Sequence, residues 1–223
     1  MNKLIVGVPV KDDLSSMQLM INSLLNSTKA FDYLYFVDGG SNDGTQEWLD
    51  CLAKMDKRIK VFKLHTKTPL EAYNFLFEYA KNEGADLFIT QTDVIFPKCL
   101  GRDWLAEMRQ IAMHDNIGAV TTLNGGGTSG PDYLDKFLWL GGWATYYPFR
   151  TIEAIGGYDA NFPNGFGVDI DHSYRLYKAG LKIVYWNYWV DHHQMNSREH
   201  DRDANSEQMK QASAKFFREK HKL

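Results

Sequence analysis

The sequence of 223 residues contains two cysteines and no hydrophobic run of membrane-spanning length. Two cysteines, Cys51 and Cys99, are too few for a disulfide framework or a cysteine-rich zinc site, which favours a reducing compartment. A spanning helix needs roughly 18 or more apolar residues in a row, and no stretch approaches that length. We therefore expect a cytoplasmic protein.

Neither sign of charge predominates, because 25 Lys+Arg face 28 Asp+Glu for a formal net charge of −3. This balance argues against a basic nucleic-acid-binding surface and gives no reason to expect a disordered acidic tail. Two phosphate-binding signatures are also missing. The turn after the first predicted strand, Pro9–Asp13, contains no glycine, and the sequence Gly-Lys-Ser/Thr does not occur. A dinucleotide-binding fingerprint and a P-loop are thereby excluded.

The first 120 residues alternate short apolar runs with amphipathic stretches. The apolar runs predict strands over 4–8, 33–37, 59–64, 86–90 and 117–122. The stretches between them predict helices near 14–26, 45–55, 70–82 and 100–113. Gly84 follows the third helix as a suitable C-cap residue. This alternation indicates βαβ units, and hence an α/β fold with a mainly parallel central sheet flanked by helices.

The pattern changes at the glycine-rich segment 124–131. Beyond it we expect an aromatic, strand-like segment over 137–149, a helix over 169–178, a strand over 181–190 and a polar helix over 206–220. Since nothing resembles a linker, the sequence predicts a single domain over 1–223. Its parts are a nucleotide-binding half over 1–123, a pocket-completing half over 124–200 and a C-terminal helix over 201–223.

Ligands of open parallel sheets bind at the carboxyl ends of the strands, so residues that follow strands are candidates. Asp38 ends the second strand and precedes two glycines, which suits contact with a nucleoside; the alternative is a turn in which Ser41 or Asp43 caps the next helix. Asp93 follows the fourth strand, where a carboxylate suits a divalent cation. Its alternative role is to cap the turn before Pro97.

Two later segments carry further candidates. Asp169 and Asp171 begin a helix, where acidic side chains also complement the helix dipole without further function. His192 and His193 end an aromatic strand, and neutral imidazole is a common ligand of divalent metals. A histidine pair is more often a surface or structural feature, so both interpretations stay open.

The order of these motifs resembles that of the family 2 glycosyltransferases, which have the glycosyltransferase-A (GT-A) fold. The matching segments are Val37–Thr45, Gln91–Asp93, Ile155–Asp159, Val168–Asp171 and His192-His193. The resemblance implies a metal-dependent, inverting enzyme that uses Mn²⁺ or Mg²⁺. Such an enzyme moves a sugar from a nucleoside-diphosphate sugar, with a UDP-sugar favoured, to a hydroxyl acceptor.

The same resemblance implies roles for individual residues. The donor-binding residues are Pro9, Val10, Asp38, Asn74, Gln91 and Thr92. Asp93 and His192 would hold the metal, and Asp169 would be the general base. Three positions depart from the family pattern: Tyr73 stands where the family has arginine, Gln91 replaces the first acidic residue of the metal motif, and Val168 replaces a glutamate.

The acceptor is the least defined partner. The sequence is 14% aromatic, and sugar rings stack on flat aromatic side chains, which favours Trp139 and Trp143 as acceptor residues; core packing is the alternative. Asp171 and His193 are further acceptor candidates, although Asp171 and Arg175 also suit an ion pair along the helix. A saccharide or lipid-linked acceptor is expected, and a nucleic-acid acceptor stays open.

Basic residues of the C-terminal helix, together with Phe216 and Phe217, suit a peripheral contact with an anionic membrane; a solvated terminal helix is the alternative. Two other functions compete with sugar transfer. The Gln91 and Val168 departures suit a catalytically inactive protein that only binds nucleotide sugars. A nucleotidyltransferase of related architecture would need a basic, glycine-rich loop after the first strand, which Pro9–Asp13 does not supply.

Overall fold

The structure, a computed structural model, describes residues 2–124, 126–127, 138–163, 167–192 and 204–223, with side chains from 208 onward in the last range. Its strands are β1 (Leu4–Val10), β2 (Tyr33–Asp38), β3 (Ile59–Lys63), β4 (Asp86–Thr90), β5 (Val94–Ile95), β6 (Ile117–Thr122), β7 (Gly126–Gly127), β8 (Trp139–Leu140), β9 (Ala144–Tyr147), β10 (Lys182–Trp186) and β11 (Asp191–His192). Its helices are α1 (Leu14–Ser27), α2 (Thr45–Met55), α3 (Pro69–Asn82), α4 (Trp104–Ile111), α5 (Phe149–Ile155), α6 (Val168–Lys178) and α7 (Ala204–His221).

Within the described residues, seven strands form one sheet in the order β10-β6-β9-β4-β1-β2-β3. The strand β1 pairs in parallel with both β2 and β4, and β10 pairs in parallel with β6. Only β9 runs against its neighbours β4 and β6. The predicted α/β fold with a mainly parallel central sheet is therefore confirmed.

Apolar side chains cover both faces of this sheet. In β1, Leu4, Val6 and Val8 join the core formed with α1, α2 and α4, whereas Ile5 joins the core formed with α3, α5 and α6. This alternation follows from the two-residue period of a strand. At Gly7 a Cβ atom would lie 2.9 Å from the methyl carbons of Leu76. Glycine therefore lets α3 pack closely on the centre of the sheet.

Most predicted elements of the first half are confirmed within a few residues. Gly84 has a φ of 61° just after α3, and the backbone N–H of Ala85 donates to the Ala80 carbonyl at 2.9 Å, as the C-cap prediction requires. The fourth helix was predicted to begin near residue 100 but begins at Trp104. Asp103 causes this late start, because its carboxylate accepts hydrogen bonds from the N–H groups of Leu105 and Ala106.

The second half departs further from the prediction. The aromatic segment expected as one strand contains two, β8 and β9, separated by Gly141 and Gly142. It ends in α5, a helix that the sequence reading missed, which begins after Pro148. The strand expected over 181–190 ends at Trp186. No helix among the described residues is long and apolar enough to span a membrane.

Candidate active site

The loops that follow β1, β2 and β4 are joined by hydrogen bonds at one edge of the sheet. The Asp12 N–H donates to the Ser41 hydroxyl at 2.8 Å, and the Asp12 carboxylate accepts from the Asn42 N–H at 2.7 Å. The Thr92 hydroxyl donates to the Asp13 carboxylate at 2.5 Å. Thr92, a predicted donor residue, therefore also connects the β4 end to the β1 end. These bonds hold the predicted nucleotide-binding loops in a fixed relative position.

Asp38 ends β2 and is fully buried. Its carboxylate accepts from the N–H groups of Gly40 and Ser41 at 3.2 Å each, and also from the Ser41 hydroxyl and the Gln46 amide. Asp38 thus organises its own turn. Asp43 accepts from the Thr45 N–H at 3.1 Å, but the N-cap residue of α2 is Gly44, without a side-chain cap bond, so neither Ser41 nor Asp43 is the cap.

The remaining predicted donor-binding residues differ in how far their side chains are free to contact a ligand. Pro9 is half-buried and Val10 is buried at the end of β1. The Asn74 amide donates to the Tyr158 carbonyl at 2.9 Å and accepts from the Tyr158 N–H at 2.8 Å. Asn74 therefore attaches α3 to the segment after α5, and its contact with a donor stays a prediction.

The two predicted metal ligands lie together. The Asp93 Oδ1 and His192 Nε2 atoms are 3.5 Å apart, and both side chains are largely buried. The pairing of β5 with β11 places them there, since Val94 lies opposite His192 in that ladder. The imidazole also stacks on the Trp143 indole, with ring centroids 4.9 Å apart. Two residues separated by 99 positions in the sequence thus form one polar pair.

The chemistry of this pair fits a divalent cation. Carboxylate oxygen and imidazole nitrogen both bind ions such as Mn²⁺ and Zn²⁺, and carboxylate oxygen also suits Mg²⁺. The described residues include no cluster of three or more His, Cys, Asp and Glu side chains suited to a metal. The remaining coordination positions would therefore fall to a diphosphate and water. His193, the other histidine of the motif, lies outside the described residues.

Gln91 directly follows β4, two residues before Asp93. Its amide N–H donates to the Tyr73 hydroxyl at 2.7 Å. Tyr73 belongs to the first turns of α3, and its ring meets the Tyr158 ring edge-on at a centroid distance of 5.6 Å. The two departures from the family pattern, Tyr73 and Gln91, thus contact each other directly.

Asp169, the predicted general base, lies in the first turn of α6. Its carboxylate accepts from the adjacent Ile170 N–H at 2.9 Å, and no cation pairs with it among the described residues. Burial raises the pKa of Asp169 to about 6. Burial is the main cause of the raised pKa values of Tyr73, Tyr147 and Tyr158, and the charge of Asp169 contributes to each of them.

Asp171 lies two residues further along α6 and has the opposite environment. Its fully buried carboxylate accepts from Arg175 Nε at 2.9 Å, from Lys220 Nζ at 2.6 Å and from His221 Nε2 at 2.8 Å. Burial alone would raise the Asp171 pKa, but the bonds from Lys220 and His221 lower it on balance. The ion pair with Arg175, the alternative role for Asp171, is therefore present.

The predicted acceptor tryptophans, Trp139 and Trp143, are both half-buried. Their indole N–H groups have no hydrogen-bond partner among the described residues. Trp143 lies beside the metal pair through its stacking on His192. The sequence predicts no role for Tyr147 or Tyr158, although Tyr158 lies in the family-like segment Ile155–Asp159.

The C-terminal helix packs its aromatic residues inward. Phe217 is buried, and Phe216 meets Phe162 at a centroid distance of 4.8 Å. Lys220 pairs with Asp159 at 2.9 Å as well as with Asp171. A membrane contact through α7 therefore has no exposed aromatic pair to use and would depend on the remaining basic side chains.

A comparison of the sequence with known families supports the resemblance. The profile of glycosyl transferase family 2 matches residues 5–119, which is just over half of the chain. The chain belongs to glycosyl transferase family 2. A search of curated protein sequences gives no match.

Solved structures show the same fold. A mannosyltransferase from Pyrobaculum calidifontis in complex with GDP-Man and Mn²⁺ aligns with a TM-score of 0.65 at 15% identity, over 83% of this chain and 55% of that one. GalNAc-T7 with UDP, GalNAc and Mn²⁺ aligns with a TM-score of 0.67 at 15% identity, over 83% of this chain and 42% of that one. Residues 1–349 of TarS from S. aureus align with a TM-score of 0.61 at 17% identity, over 83% of this chain and 59% of that one.

These alignments confirm the predicted GT-A fold of a family 2 glycosyltransferase. The chain spans about half of the length of the solved structures that it matches. At this level of identity the likeness concerns the fold, so the roles of individual residues depend on the geometry of this chain.

Proposed function

We propose that this protein is a metal-dependent, inverting glycosyltransferase that moves a sugar from a nucleoside-diphosphate sugar to a hydroxyl acceptor. One arrangement carries the proposal. Gln91, two residues before the Asp93 of the Asp93–His192 pair, donates to the Tyr73 hydroxyl, and the charges of Asp93 and Asp169 both act on that phenol. A metal-type ligand pair and the half-buried Asp169, with which no cation pairs among the described residues, are thus both near Tyr73.

In this proposal Asp93 and His192 would hold a divalent ion, which would stabilise the charge that grows on the leaving diphosphate. The hydrogen-bonded loops after β1, β2 and β4 hold the nucleoside, and their mutual bonds keep them in position before the donor arrives. Preorganised polar groups of this kind lower the barrier because they need not reorient during the reaction.

Asp169 is the general base of the proposed reaction. Its carboxylate removes the proton from the acceptor hydroxyl while that oxygen forms a bond to the anomeric carbon. The bond from the anomeric carbon to the diphosphate oxygen breaks in the same step, and the diphosphate leaves with the electron pair. Attack from the face opposite the leaving group inverts the anomeric centre. A pKa of about 6 leaves the carboxylate mostly ionised at neutral pH and ready to accept the proton.

We propose UDP as the first nucleotide to test and GDP as the second. Support comes from the neighbouring structures, which were solved with UDP and GalNAc or with GDP-Man, each with Mn²⁺. The proposed acceptor is a saccharide or a lipid-linked sugar, for which the half-buried Trp143 beside His192 offers an apolar surface. A cytoplasmic location remains part of the same proposal.

An inactive nucleotide-sugar-binding protein is the second candidate. Gln91 supports it, because the amide contributes no charge to the metal site and its N–H is used by Tyr73. Val168 supports it as well, because an apolar side chain precedes the base.

The donor is identified by a thermal-shift screen of UDP- and GDP-sugars with Mn²⁺ or Mg²⁺. We expect one nucleotide sugar to raise the melting temperature only when the metal is present. Proton NMR of the product then gives the anomeric configuration, which should be opposite to that of the donor. Retention of configuration would contradict the role of Asp169, and binding without turnover of any acceptor would favour the second candidate.

A further inference from the structure

The proposed reaction assigns no role to Tyr73, although contacts hold both its hydroxyl and its ring. Its hydroxyl accepts a hydrogen bond from the Gln91 amide at 2.7 Å. Its ring is held edge-on against Tyr158 at 5.6 Å. The phenol is therefore held at its oxygen by Gln91, which follows β4, and at its ring by the segment after α5.

The Tyr73 proton has no acceptor among the described residues. A phenol has one O–H donor. In the bond with Gln91 the Tyr73 oxygen is the acceptor, so this bond does not use the O–H donor. Burial is the main cause that raises the Tyr73 pKa above its usual range, so the hydroxyl stays protonated at any pH at which the protein works. Tyr73 thus presents an O–H group that is oriented, permanently protonated and unused.

The position of that group follows from its hydrogen-bond partner. Gln91, which donates to the Tyr73 hydroxyl, lies two residues before Asp93, and the charges of Asp93 and Asp169 both act on the phenol. In a single displacement the diphosphate lies on the metal side of the anomeric carbon and the acceptor lies on the base side, so the breaking bond lies between the two carboxylates. The hydrogen bond from Gln91 puts the Tyr73 hydroxyl beside the metal motif, on the diphosphate side of the breaking bond.

We propose that the Tyr73 hydroxyl donates a hydrogen bond to an oxygen of the β-phosphate of the bound nucleoside diphosphate, and that Gln91 positions it for this contact. This assignment rests on the proposed function. No proton is transferred, because the phenol keeps its hydrogen while negative charge accumulates on the leaving oxygen. Gln91 is then a positioning residue, and the neutral Gln91–Tyr73 pair recognises the diphosphate without adding charge to the site.

The experiment compares the nucleoside diphosphate with the monophosphate. Isothermal titration calorimetry with Mn²⁺ gives the dissociation constants of UDP and UMP, and in parallel of GDP and GMP, for wild type and Tyr73→Phe. A hydrogen bond to a charged group predicts a roughly 10- to 100-fold loss of diphosphate affinity. Monophosphate affinity should not change, because that ligand has no β-phosphate.

Tyr79→Phe is the matched control. Tyr79 lies on the same helix, and its hydroxyl accepts from Lys60 at 2.9 Å in an exposed position. This variant should change neither dissociation constant. A second variant, Gln91→Leu, removes the group that orients the phenol, and it should lower the ratio of diphosphate to monophosphate affinity by a smaller factor. That variant keeps the test decisive if Tyr73→Phe does not fold.

Two results would overturn the assignment alone. The first is a Tyr73→Phe protein that binds the diphosphate as tightly as wild type does. The second is an equal loss for diphosphate and monophosphate, which would indicate a purely structural role for Tyr73. A wild-type protein that binds neither diphosphate would instead overturn the proposed function, and with it the assignment.

Discussion

The two sides of helix α6 show how one short segment serves two purposes. Asp169 and Asp171 lie two residues apart in its first turn. Asp171 faces the C-terminal helix and accepts from Arg175, Lys220 and His221, whereas among the described residues Asp169 accepts only from the Ile170 N–H. The pKa of Asp171 is lowered, and that of Asp169 is raised to about 6.

This difference separates a carboxylate that pairs with cations from the one that we propose as the general base. A carboxylate that is paired with several cations is held ionised, and its oxygens are already occupied by hydrogen bonds. A buried carboxylate without a cation is a stronger base and keeps its oxygens available. The contrast also explains why the helix needs both residues: Asp171 attaches α6 to α7, and this attachment holds Asp169 in place.

The largest expected effect is on catalysis at the Asp169 side. Asp169→Asn should lower the turnover number by about 10²–10⁴, the usual contribution of a general base. Donor affinity, measured by calorimetry, should stay close to that of wild type. The melting temperature should not fall, since the change removes a buried carboxylate that has no cationic partner. Unchanged turnover would show that Asp169 is not the base.

The next effect concerns the metal pair. Asp93→Ala should weaken Mn²⁺-dependent donor binding by roughly 10- to 100-fold, because one of the two protein ligands is lost. We also expect modest Mn²⁺ affinity without nucleotide, because Gln91 supplies no charge. Calorimetric titration of Mn²⁺ with and without UDP measures both quantities.

Asp115→Ala, which changes an exposed acidic residue before β6, is the control for this variant and should behave like wild type. Tight Mn²⁺ binding to the free protein would contradict the expected division of ligands between protein and diphosphate.

On the Asp171 side the expected effect is on stability. Asp171→Asn removes the charge partner of Arg175 and one of the two carboxylates that pair with Lys220, and it should lower the free energy of unfolding by about 2–4 kcal/mol. For a chain of this size the melting temperature should then fall by roughly 5–15 °C. Asp50→Asn is the matched control, because the Asp50–Lys63 pair is about half-exposed and contributes at most about 1 kcal/mol. Equal effects of the two substitutions would remove the structural role of Asp171.

The smallest expected effect is the response to pH. Protonation of Asp169 abolishes the base, so kcat/KM should fall about tenfold per pH unit below its pKa of about 6. Asp171 has a lowered pKa, so its contribution to stability is present above the unfolded-state pKa of about 3.9 and is lost as the pH falls through the folded value. At pH 5 the protein should therefore be folded but less active. Parallel loss of activity and of near-UV circular dichroism at pH 5 would contradict this separation.

The sequence predicted the first half of the fold well because its strands and helices follow strong local periodicities. The errors lie where tertiary contacts determine the chain path. The late start of α4 depends on the Asp103 cap, which also accepts from the Thr28 hydroxyl at 2.5 Å, 75 residues away. The helix α5 was missed because its seven residues follow an aromatic run that reads as a strand.

For the candidate site, motif order was enough to propose Asp93, His192 and Asp169, whose roles stay predictions. The partners of these residues were not predictable, since they depend on contacts between distant segments. The stacking of Trp143 on His192 and the bond between Gln91 and Tyr73 are examples. The sequence also could not show which of two nearby carboxylates in α6 is neutralised, because Lys220 and His221 reach Asp171 from about 50 residues away.

Release of a nucleoside diphosphate from a nucleotide sugar tests the central claim most directly. Wild-type protein with Mn²⁺ is incubated with the donor selected by thermal shift, and free UDP or GDP is followed over time, with Asp169→Asn as the control for contaminating activity. We predict slow release by the wild type that stops on chelation of the metal and falls at least about 100-fold in Asp169→Asn. Tight donor binding without any release, or equal release by both proteins, would contradict the proposal of a working transferase with Asp169 as its base.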